Sequence, residues 1–142
     1  MKILVSKCLL GINCKYSGGN NKNDKLIEFL QNHQVYTCCP ECDGGLTTLR
    51  DPSEVRGGRV YSNKGVDVTD YFYRGAQIAL KTCQDYGIKV AILKSKSPSC
   101  GNGLIYDGTF SNNLTLGDGI TAKLLKENNI KVLDENNYKD YF

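Results

Sequence analysis

The sequence predicts a three-layer, Rossmann-like α/β fold with a mostly parallel central sheet. Three short apolar runs rich in β-branched residues, at residues 3–5, 35–37 and 90–93, have the composition of strands. Segments with a helical apolar period alternate with these runs, as in βαβ units. The run at 90–93 is apolar throughout, which is typical of a central parallel strand covered on both faces. The length of 142 residues fits a single domain, residues 1–142.

The first strand, at residues 3–5, leads into a loop at residues 11–20. The glycine and asparagine content of this loop allows positive φ angles and a close approach of the backbone to a ligand. Asn23 or Asp24 then begins a helix that runs to about Gln31, because its apolar residues repeat with a period near 3.6. This helix returns the chain to the next strand.

The second strand, at residues 35–37, is followed by a turn-rich insertion. Glycine, proline and aspartate dominate residues 43–54, and a short hairpin is expected around residues 59–61. Thr69 caps a long helix that continues to about Tyr86, with apolar side chains on one face. We expect the insertion to lie over the binding site.

The last third of the chain continues the alternation. The strand at residues 90–93 is followed by a loop and then by a helix at about 118–128. An apolar run at 130–133 is the closing strand. We expect the charged tail after Asp134 to be frayed or lightly packed.

Three cysteines follow three of these strands, and they are the main functional signal. Cys8, Cys39 and Cys100 come shortly after the runs at 3–5, 35–37 and 90–93. Because the carboxyl ends of parallel strands meet at one edge of a sheet, we expect the three thiols to be neighbours.

Thiolates that converge from rigid strand ends suit a soft metal or an iron–sulfur cluster. The alternative is buried structural cysteine, since free cysteine is among the most buried residue types. Cys14 and Cys42 are candidates for a fourth ligand.

Two other cysteine sites compete with this interpretation. Cys39 and Cys42 have the Cys-x-x-Cys spacing of a thioredoxin-like redox pair. A helix normally follows such a pair, and the sequence Asp43-Gly44-Gly45 argues against one here. A closed zinc site with four thiolates is the second alternative, but it would leave the neighbouring polar residues unexplained.

Polar residues with catalytic chemistry accompany the cysteines. Glu41 is next to the expected site and is suited to act as a general base on water, although an isolated glutamate is usually solvated. Ser97 and Ser99 precede Cys100, so we expect at least one hydroxyl to point into the same cavity. The alternative role of these serines is to bond loop backbone groups. A glycine-rich rim at residues 101–119 offers backbone N–H groups for an anionic or carbonyl oxygen.

Composition narrows the class of ligand and the compartment. Eighteen basic and fifteen acidic residues give a net charge of +3, and the lysines form no basic stripe, which favours a small molecule over nucleic acid. Seven cysteines are an odd number and do not suggest a disulfide scaffold. The apolar stretch at the N-terminus is too short for a signal peptide or a membrane span. We therefore expect a protein of the reducing cytoplasm that does not enter the membrane.

Four ordered motifs resemble those of the domain-of-unknown-function family 523, whose characterised members are thiouracil desulfidases. The resemblance extends over about residues 6–133. The motifs are Cys8-Leu9-Leu10-Gly11, Cys39-Pro40-Glu41, Ser97-Pro98-Ser99-Cys100-Gly101 and Tyr106-Asp107-Gly108-Thr109-Phe110. The chain departs from the family pattern at Lys15, Ser17, Asn112 and Leu49, where a proline usually precedes the arginine.

The resemblance implies a 4Fe–4S cluster held by only three cysteines, with the fourth iron open to the sulfur of the substrate. The implied ligands are Cys8, Cys39 and Cys100. Glu41 and either Ser97 or Ser99 would be the catalytic acid/base and its hydroxyl partner. The implied reaction is the hydrolytic, non-redox desulfuration of a small thiolated nucleobase, thiouracil to uracil plus hydrosulfide.

Two alternatives remain at this stage. A non-catalytic iron–sulfur or zinc protein that handles sulfur or metal would need a closed site, with Cys14 or Cys42 as the fourth ligand. A thiolated tRNA is another substrate to consider, although the modest charge gives little electrostatic hold on a polynucleotide.

Overall fold

The structure, a computed structural model, describes residues 1–142 and alternates strands with helices. The eight strands are β1 (Lys2–Ser6), β2 (Gln34–Cys38), β3 (Ser53–Arg56), β4 (Arg59–Ser62), β5 (Val90–Leu93), β6 (Leu104–Tyr106), β7 (Leu114–Leu116) and β8 (Lys131–Asp134). The five helices are α1 (Asp24–Leu30), α2 (Pro40–Asp43), α3 (Thr69–Tyr86), α4 (Ile120–Glu127) and α5 (Tyr138–Tyr141). A 3-10 turn, Lys7–Leu10, directly follows β1.

The central sheet has four parallel strands in the order β2-β1-β5-β8. The register pairs Ser6 with Cys38 and Leu93 with Asp134, so the carboxyl ends of the strands are level with one another. Every residue of β5 is buried, because this strand lies in the middle of the sheet and is covered on both faces. The predicted parallel α/β architecture is confirmed.

Helices cover both faces of this sheet and complete the three layers. Ala79 and Cys83 of α3 and Leu125 of α4 pack on one face, together with Leu4 and Ala91 of the sheet. On the opposite face, the core comprises Leu26 and Leu30 of α1, Tyr138 of α5, and Ile3, Val5 and Ile92 of the sheet. Alternate residues of β1 therefore serve opposite cores, as the period of two in a strand requires.

Two local expectations differ from the structure. Helix α4 begins at Ile120, two residues later than predicted, because the backbone of Gly119 is still extended. Thr69 is the first residue of α3 rather than its cap, and its hydroxyl accepts a hydrogen bond from the N–H of Val60 at 2.9 Å. The tail is lightly packed, one of the two outcomes expected for it, since Tyr138 is only 2% exposed and its ring lies 5.1 Å from that of Phe29.

Two antiparallel hairpins, β3–β4 and β6–β7, lie outside the central sheet. The first corresponds to the predicted hairpin in the insertion, with Gly57 and Gly58 at its turn. Both hairpins contribute residues to the cavity described below. None of the helices combines the length and the apolar character that crossing a membrane requires.

Candidate active site

A cavity of about 570 Å³ opens at the carboxyl edge of the central sheet. Among the lining residues, those here called the thiol wall are Cys8, Cys39, Glu41, Ser99 and Cys100. Those here called the loop wall are Pro52, Ser53, Glu54, Tyr106, Phe110 and Asn112. The three cysteines, the glutamate and both serines singled out from the sequence all line this one cavity.

Cys8 is held in the 3-10 turn that follows β1. Gly11 ends this turn with a φ angle of 91°, and its N–H donates to the carbonyl oxygen of Cys8 at 3.2 Å. The N–H of Asn21 donates to the same oxygen at 3.0 Å, which ties the turn to the start of the α1 segment. Partial burial raises the pKa of the Cys8 thiol, and the neighbouring Cys39 adds to the increase.

Cys39 precedes the one-turn helix α2, which was not predicted from the sequence, whereas no helix follows the Cys39–Cys42 pair, as expected. Pro40 occupies the first helical position, where its missing N–H costs nothing, and the Asp43 carboxylate accepts from the N–H of Cys39 at 3.1 Å. The helix ends after one turn at Gly44. The pKa of Cys39 is nevertheless raised, mainly by its hydrogen bond with Cys14 and then by burial. This direction is the opposite of the lowered pKa of the first thiol in a thioredoxin-like pair.

Helix α2 presses directly on the backbone of α3. A β-carbon on Gly75 would lie 1.8 Å from the carbonyl oxygen of Pro40, and one on Gly44 would lie 2.0 Å from that of Tyr71. Only glycine at these two positions permits such an approach. Because Cys39 and Glu41 flank Pro40 in the chain, this contact fixes the positions of both residues.

Cys100 is the most enclosed of the three thiols, with 4% of its surface exposed. Its sulfur lies within hydrogen-bonding distance of the hydroxyls of Ser99, at 3.4 Å, and Ser6, at 3.6 Å. A β-carbon on Gly119 would lie 2.4 Å from the carbonyl carbon of Ser99, so the start of α4 packs directly against the backbone of this loop. Burial raises the pKa of Cys100 to about 12, although the two hydroxyls lower it.

A chain of hydrogen bonds links Cys100 to Glu41. The N–H of Cys100 donates to Ser97 Oγ at 2.7 Å, and Ser97 Oγ lies 3.3 Å from Ser99 Oγ. Ser99 Oγ donates to Glu41 Oε2 at 3.2 Å, and Arg50 Nε donates to Glu41 Oε1 at 3.1 Å. Ser99 therefore contacts both the carboxylate and a thiol of the site, whereas Ser97 supports the loop.

Arg50 is the residue that sequence reasoning missed. Its side chain is 9% exposed, that of Glu41 is 16% exposed, and the two form an ion pair. Nη1 also donates to Cys42 Sγ at 3.5 Å. The remaining acceptors are the carbonyl oxygens of Cys14, Thr47 and Thr48. The pKa of Arg50 is raised because the negative groups of Glu41 and Cys42 outweigh the lowering by burial. The arginine in the family pattern was the only sequence signal for this residue.

The two spare thiols take different positions. Cys14 lines the cavity and is 7% exposed, while Cys42 does not line it. The thiols of Cys39 and Cys42 both donate to the carbonyl oxygen of Cys14, at 3.8 and 3.7 Å. A separate side-chain hydrogen bond between Cys39 and Cys14 lowers the pKa of the Cys14 thiol, although burial opposes this shift. Of the two candidates for a fourth ligand, only Cys14 faces the cavity.

The glycines of the rim do not offer free N–H groups to a ligand, which corrects the sequence expectation for these residues. The N–H groups of Gly108 and Phe110 donate to Glu54 Oε1 at 3.0 and 3.2 Å. The N–H of Gly103 donates to Asp118 Oδ1 at 2.8 Å. These protein carboxylates occupy the donors that we had expected to bind an oxygen of the substrate.

The donors of the cavity fit an iron–sulfur cluster better than a single metal ion. Four thiolates around one zinc ion would lie about 3.8 Å apart, given Zn–S bonds of about 2.3 Å. No three histidine, cysteine, aspartate or glutamate side chains of the chain are grouped to hold a single metal ion. Thiolates of an iron–sulfur cluster bind different irons, so they lie farther apart, around the larger cluster. Three soft donors spread around one cavity fit such a cluster better than a mononuclear site.

The fold and the cavity define an α/β protein with a cysteine-lined site at the carboxyl edge of a parallel sheet. The sequence model of the 2-thiouracil desulfurase family matches residues 3–137. The chain belongs to this family, and the resemblance seen in the sequence is confirmed.

Two relatives match almost the whole chain. An uncharacterized protein, YbbK of Bacillus subtilis (strain 168), is 38% identical over 148 residues, which cover 97% of this chain and 98% of the relative. The solved structure of TudS, a 4Fe–4S-dependent thiouracil desulfidase of the DUF523 group, is 40% identical with a TM-score of 0.92. That match covers 98% of this chain and 93% of TudS.

Proposed function

We propose that the protein removes sulfur from a thiolated pyrimidine with the help of a 4Fe–4S cluster held by Cys8, Cys39 and Cys100. The match to TudS supports the cofactor, since that protein is 4Fe–4S-dependent and shares the fold over nearly the full chain. The thiol wall supports the ligand set, because these three cysteines line one cavity at the sheet edge. An iron without a protein ligand would supply a Lewis acid for the sulfur of the substrate.

The reaction that fits these groups is a hydrolysis. A thiocarbonyl carbon gains an oxygen from water and loses its sulfur, so thiouracil and water give uracil and hydrogen sulfide. No electrons are gained or lost, and no external reductant is required. The active-site groups must take a proton from water and return one to the departing sulfur.

Glu41 is the base in this proposal. Its carboxylate lies in the cavity, is mostly shielded from solvent, and is held on both oxygens by Arg50 and Ser99. Such fixed hydrogen bonds set the direction in which the carboxylate meets water. Ser99, rather than Ser97, is the hydroxyl partner, because Ser99 Oγ is within hydrogen-bonding distance of both Glu41 Oε2 and Cys100 Sγ.

The observation that carries the proposal is the short connection between a carboxylate and a ligand thiol through one hydroxyl. A protein that only stored iron or sulfide would have no need for a carboxylate so oriented. The small cavity also favours a free nucleobase over a thiolated tRNA. The net charge of only +3 would give little electrostatic attraction to a polynucleotide.

The test is anaerobic reconstitution with iron and sulfide, followed by addition of 4-thiouracil. We expect about four irons per chain, appearance of uracil, and release of one sulfide per uracil. A reconstituted protein that binds iron but leaves thiouracil unchanged would favour the sulfur- or metal-handling alternative. A single tightly bound zinc ion would contradict the cluster itself.

A further inference from the structure

Phe110 stands out in the loop between β6 and β7 because its backbone is strained. Its φ angle is 56°, in the left-handed region that bulky side chains rarely adopt. Glycine or asparagine would occupy this position at lower cost. Strain of this kind persists where the surrounding structure imposes it, and it clusters at ligand-binding sites.

Hydrophobic packing does not explain the phenyl ring. Phe110 is 38% exposed and belongs to none of the three hydrophobic cores. The residue instead lines the cavity, on the loop wall. An aromatic ring that is partly exposed and lines a cavity is suited to contact a ligand there.

The surrounding loop is built to hold this conformation. Glu54 Oε1 accepts the N–H groups of both Gly108 and Phe110, at 3.0 and 3.2 Å. A β-carbon on Gly108 would lie 2.8 Å from Arg56 Cβ and 2.9 Å from the carbonyl oxygen of Val55, so the loop is seated closely on β3. Asp107 Oδ1 accepts from the N–H of Thr109 at 3.0 Å and further tightens the turn.

We infer that Phe110 is the stacking surface for the planar ring of the substrate and that Glu54 is the positioning residue that keeps this surface in place. The inference rests on the proposed function, which makes the substrate a thiolated pyrimidine. Aromatic side chains stack on nucleobases without regard to the exocyclic groups, because every base has a π-face. Phe110 would therefore contribute to binding while the thiol wall performs the chemistry.

The first test compares Phe110→Leu with wild type on a ring substrate and on an acyclic one. Loss of stacking should raise KM for 4-thiouracil about tenfold, leave kcat within about twofold, and leave KM for thioacetamide unchanged. Phe110→Tyr should retain the wild-type KM. Phe142→Leu is the matched control, since Phe142 is 40% exposed and does not line the cavity. An unchanged KM for 4-thiouracil in Phe110→Leu, or equal increases for both substrates, would overturn the inference.

The second test uses the strain itself. Phe110→Gly removes both the ring and the left-handed strain, so the melting temperature should stay the same or rise while KM for 4-thiouracil increases. A phenylalanine with a purely structural role would give a lower melting temperature instead. Glu54→Gln keeps one acceptor oxygen and should preserve KM, whereas Glu54→Ala should raise KM as Phe110→Leu does. A raised KM in Glu54→Gln would contradict the role of Glu54 as the positioning residue.

Binding of uracil, followed by calorimetry, separates this inference from the proposed function. Uracil has the ring but not the sulfur, and Phe110→Leu should weaken its binding about tenfold whether or not the protein turns over thiouracil. Wild-type protein that binds uracil through Phe110 but leaves thiouracil intact would contradict only the proposed reaction. Turnover with no contribution from Phe110 would contradict only the stacking surface.

Discussion

The thiol wall and the loop wall face the same cavity but rest on different supports. The thiol wall follows directly from β1, β2 and β5 of the central sheet, and glycines let the backbones of α3 and α4 touch it. The loop wall comes from two hairpins outside the sheet and includes two residues with left-handed backbones, Phe110 and Asn112.

The difference suggests a division of labour between the two walls. Groups that must be held within fractions of an ångström are placed on rigid elements, and groups that choose a ligand are placed on loops. We therefore expect changes to the thiol wall to alter kcat or cluster content. Changes to the loop wall should alter KM.

The largest effect is expected from Glu41→Gln. Glutamine retains an oxygen for Arg50 or Ser99, so the geometry survives while the proposed base is lost. We expect kcat for 4-thiouracil to fall by about 10² to 10⁴ with iron content unchanged. Glu127→Gln, on the exposed side of α4, is the matched control. A Glu41→Gln variant with wild-type turnover would assign the base to another group.

A backbone change behind the thiol wall should come next in size. Alanine usually stabilises a helix relative to glycine by about 0.5–1 kcal/mol, but in Gly75→Ala the new β-carbon meets Pro40 at 1.8 Å. Overpacking of this kind costs about 1–3 kcal/mol, so the melting temperature should fall by several degrees.

Displacement of α2 should also reduce iron binding, because Cys39 and Glu41 move with Pro40. Gln77→Ala, exposed on the same helix, should change neither property. Wild-type melting temperature and iron content in Gly75→Ala would show that the close contact with α3 does not position the site.

Arg50→Lys should have a smaller effect that is confined to catalysis. Lysine keeps the charge but cannot supply the fork of donors that reaches Glu41, Cys42 and three carbonyl oxygens at once. We expect kcat to fall about tenfold and the pH dependence of kcat to shift, with uracil binding unchanged. An equal loss in uracil binding would mean that Arg50 shapes the cavity as a whole rather than orienting Glu41.

The smallest effect concerns local motion and needs no mutation. Amide hydrogens of β1 and β5 are buried in the central sheet and should exchange slowly. Amides at residues 111–113, in the exposed β6–β7 loop, should exchange fast, and added uracil should slow the amide of Phe110. Equal protection in the central sheet and in the β6–β7 loop would contradict the difference between the supports of the two walls.

Much of the thiol wall could be predicted from the sequence because its signals are local. The β-branched runs mark the strands, and parallel pairing then brings Cys8, Cys39 and Cys100 to one edge. The same reasoning identified Glu41 and the two serines, since each lies within three residues of one of these cysteines in the chain. Only the choice between Ser97 and Ser99 needed distances.

The remaining parts depend on contacts between distant segments. Arg50 meets Glu41 across nine residues of irregular chain, and Glu54 meets Phe110 across 56 residues. Neither the hydrophobic periodicity nor the spacing of residues in the sequence predicts such pairs. The short helix α2 was missed because Gly44 and Gly45 normally break helices, whereas here Gly44 ends a helix of only one turn that the Asp43 carboxylate closes.

The most direct test of the account is the iron content, after anaerobic reconstitution, of seven variants that each replace one cysteine. Cys8→Ser, Cys39→Ser and Cys100→Ser should lose the cluster. Cys14→Ser and Cys42→Ser should retain it, as should Cys38→Ala and Cys83→Ala in the hydrophobic core. Loss of iron in Cys14→Ser would indicate that Cys14 is a fourth protein ligand and that no iron is open to the substrate. Retention of the full cluster in any of the first three variants would contradict the ligand set on which the account depends.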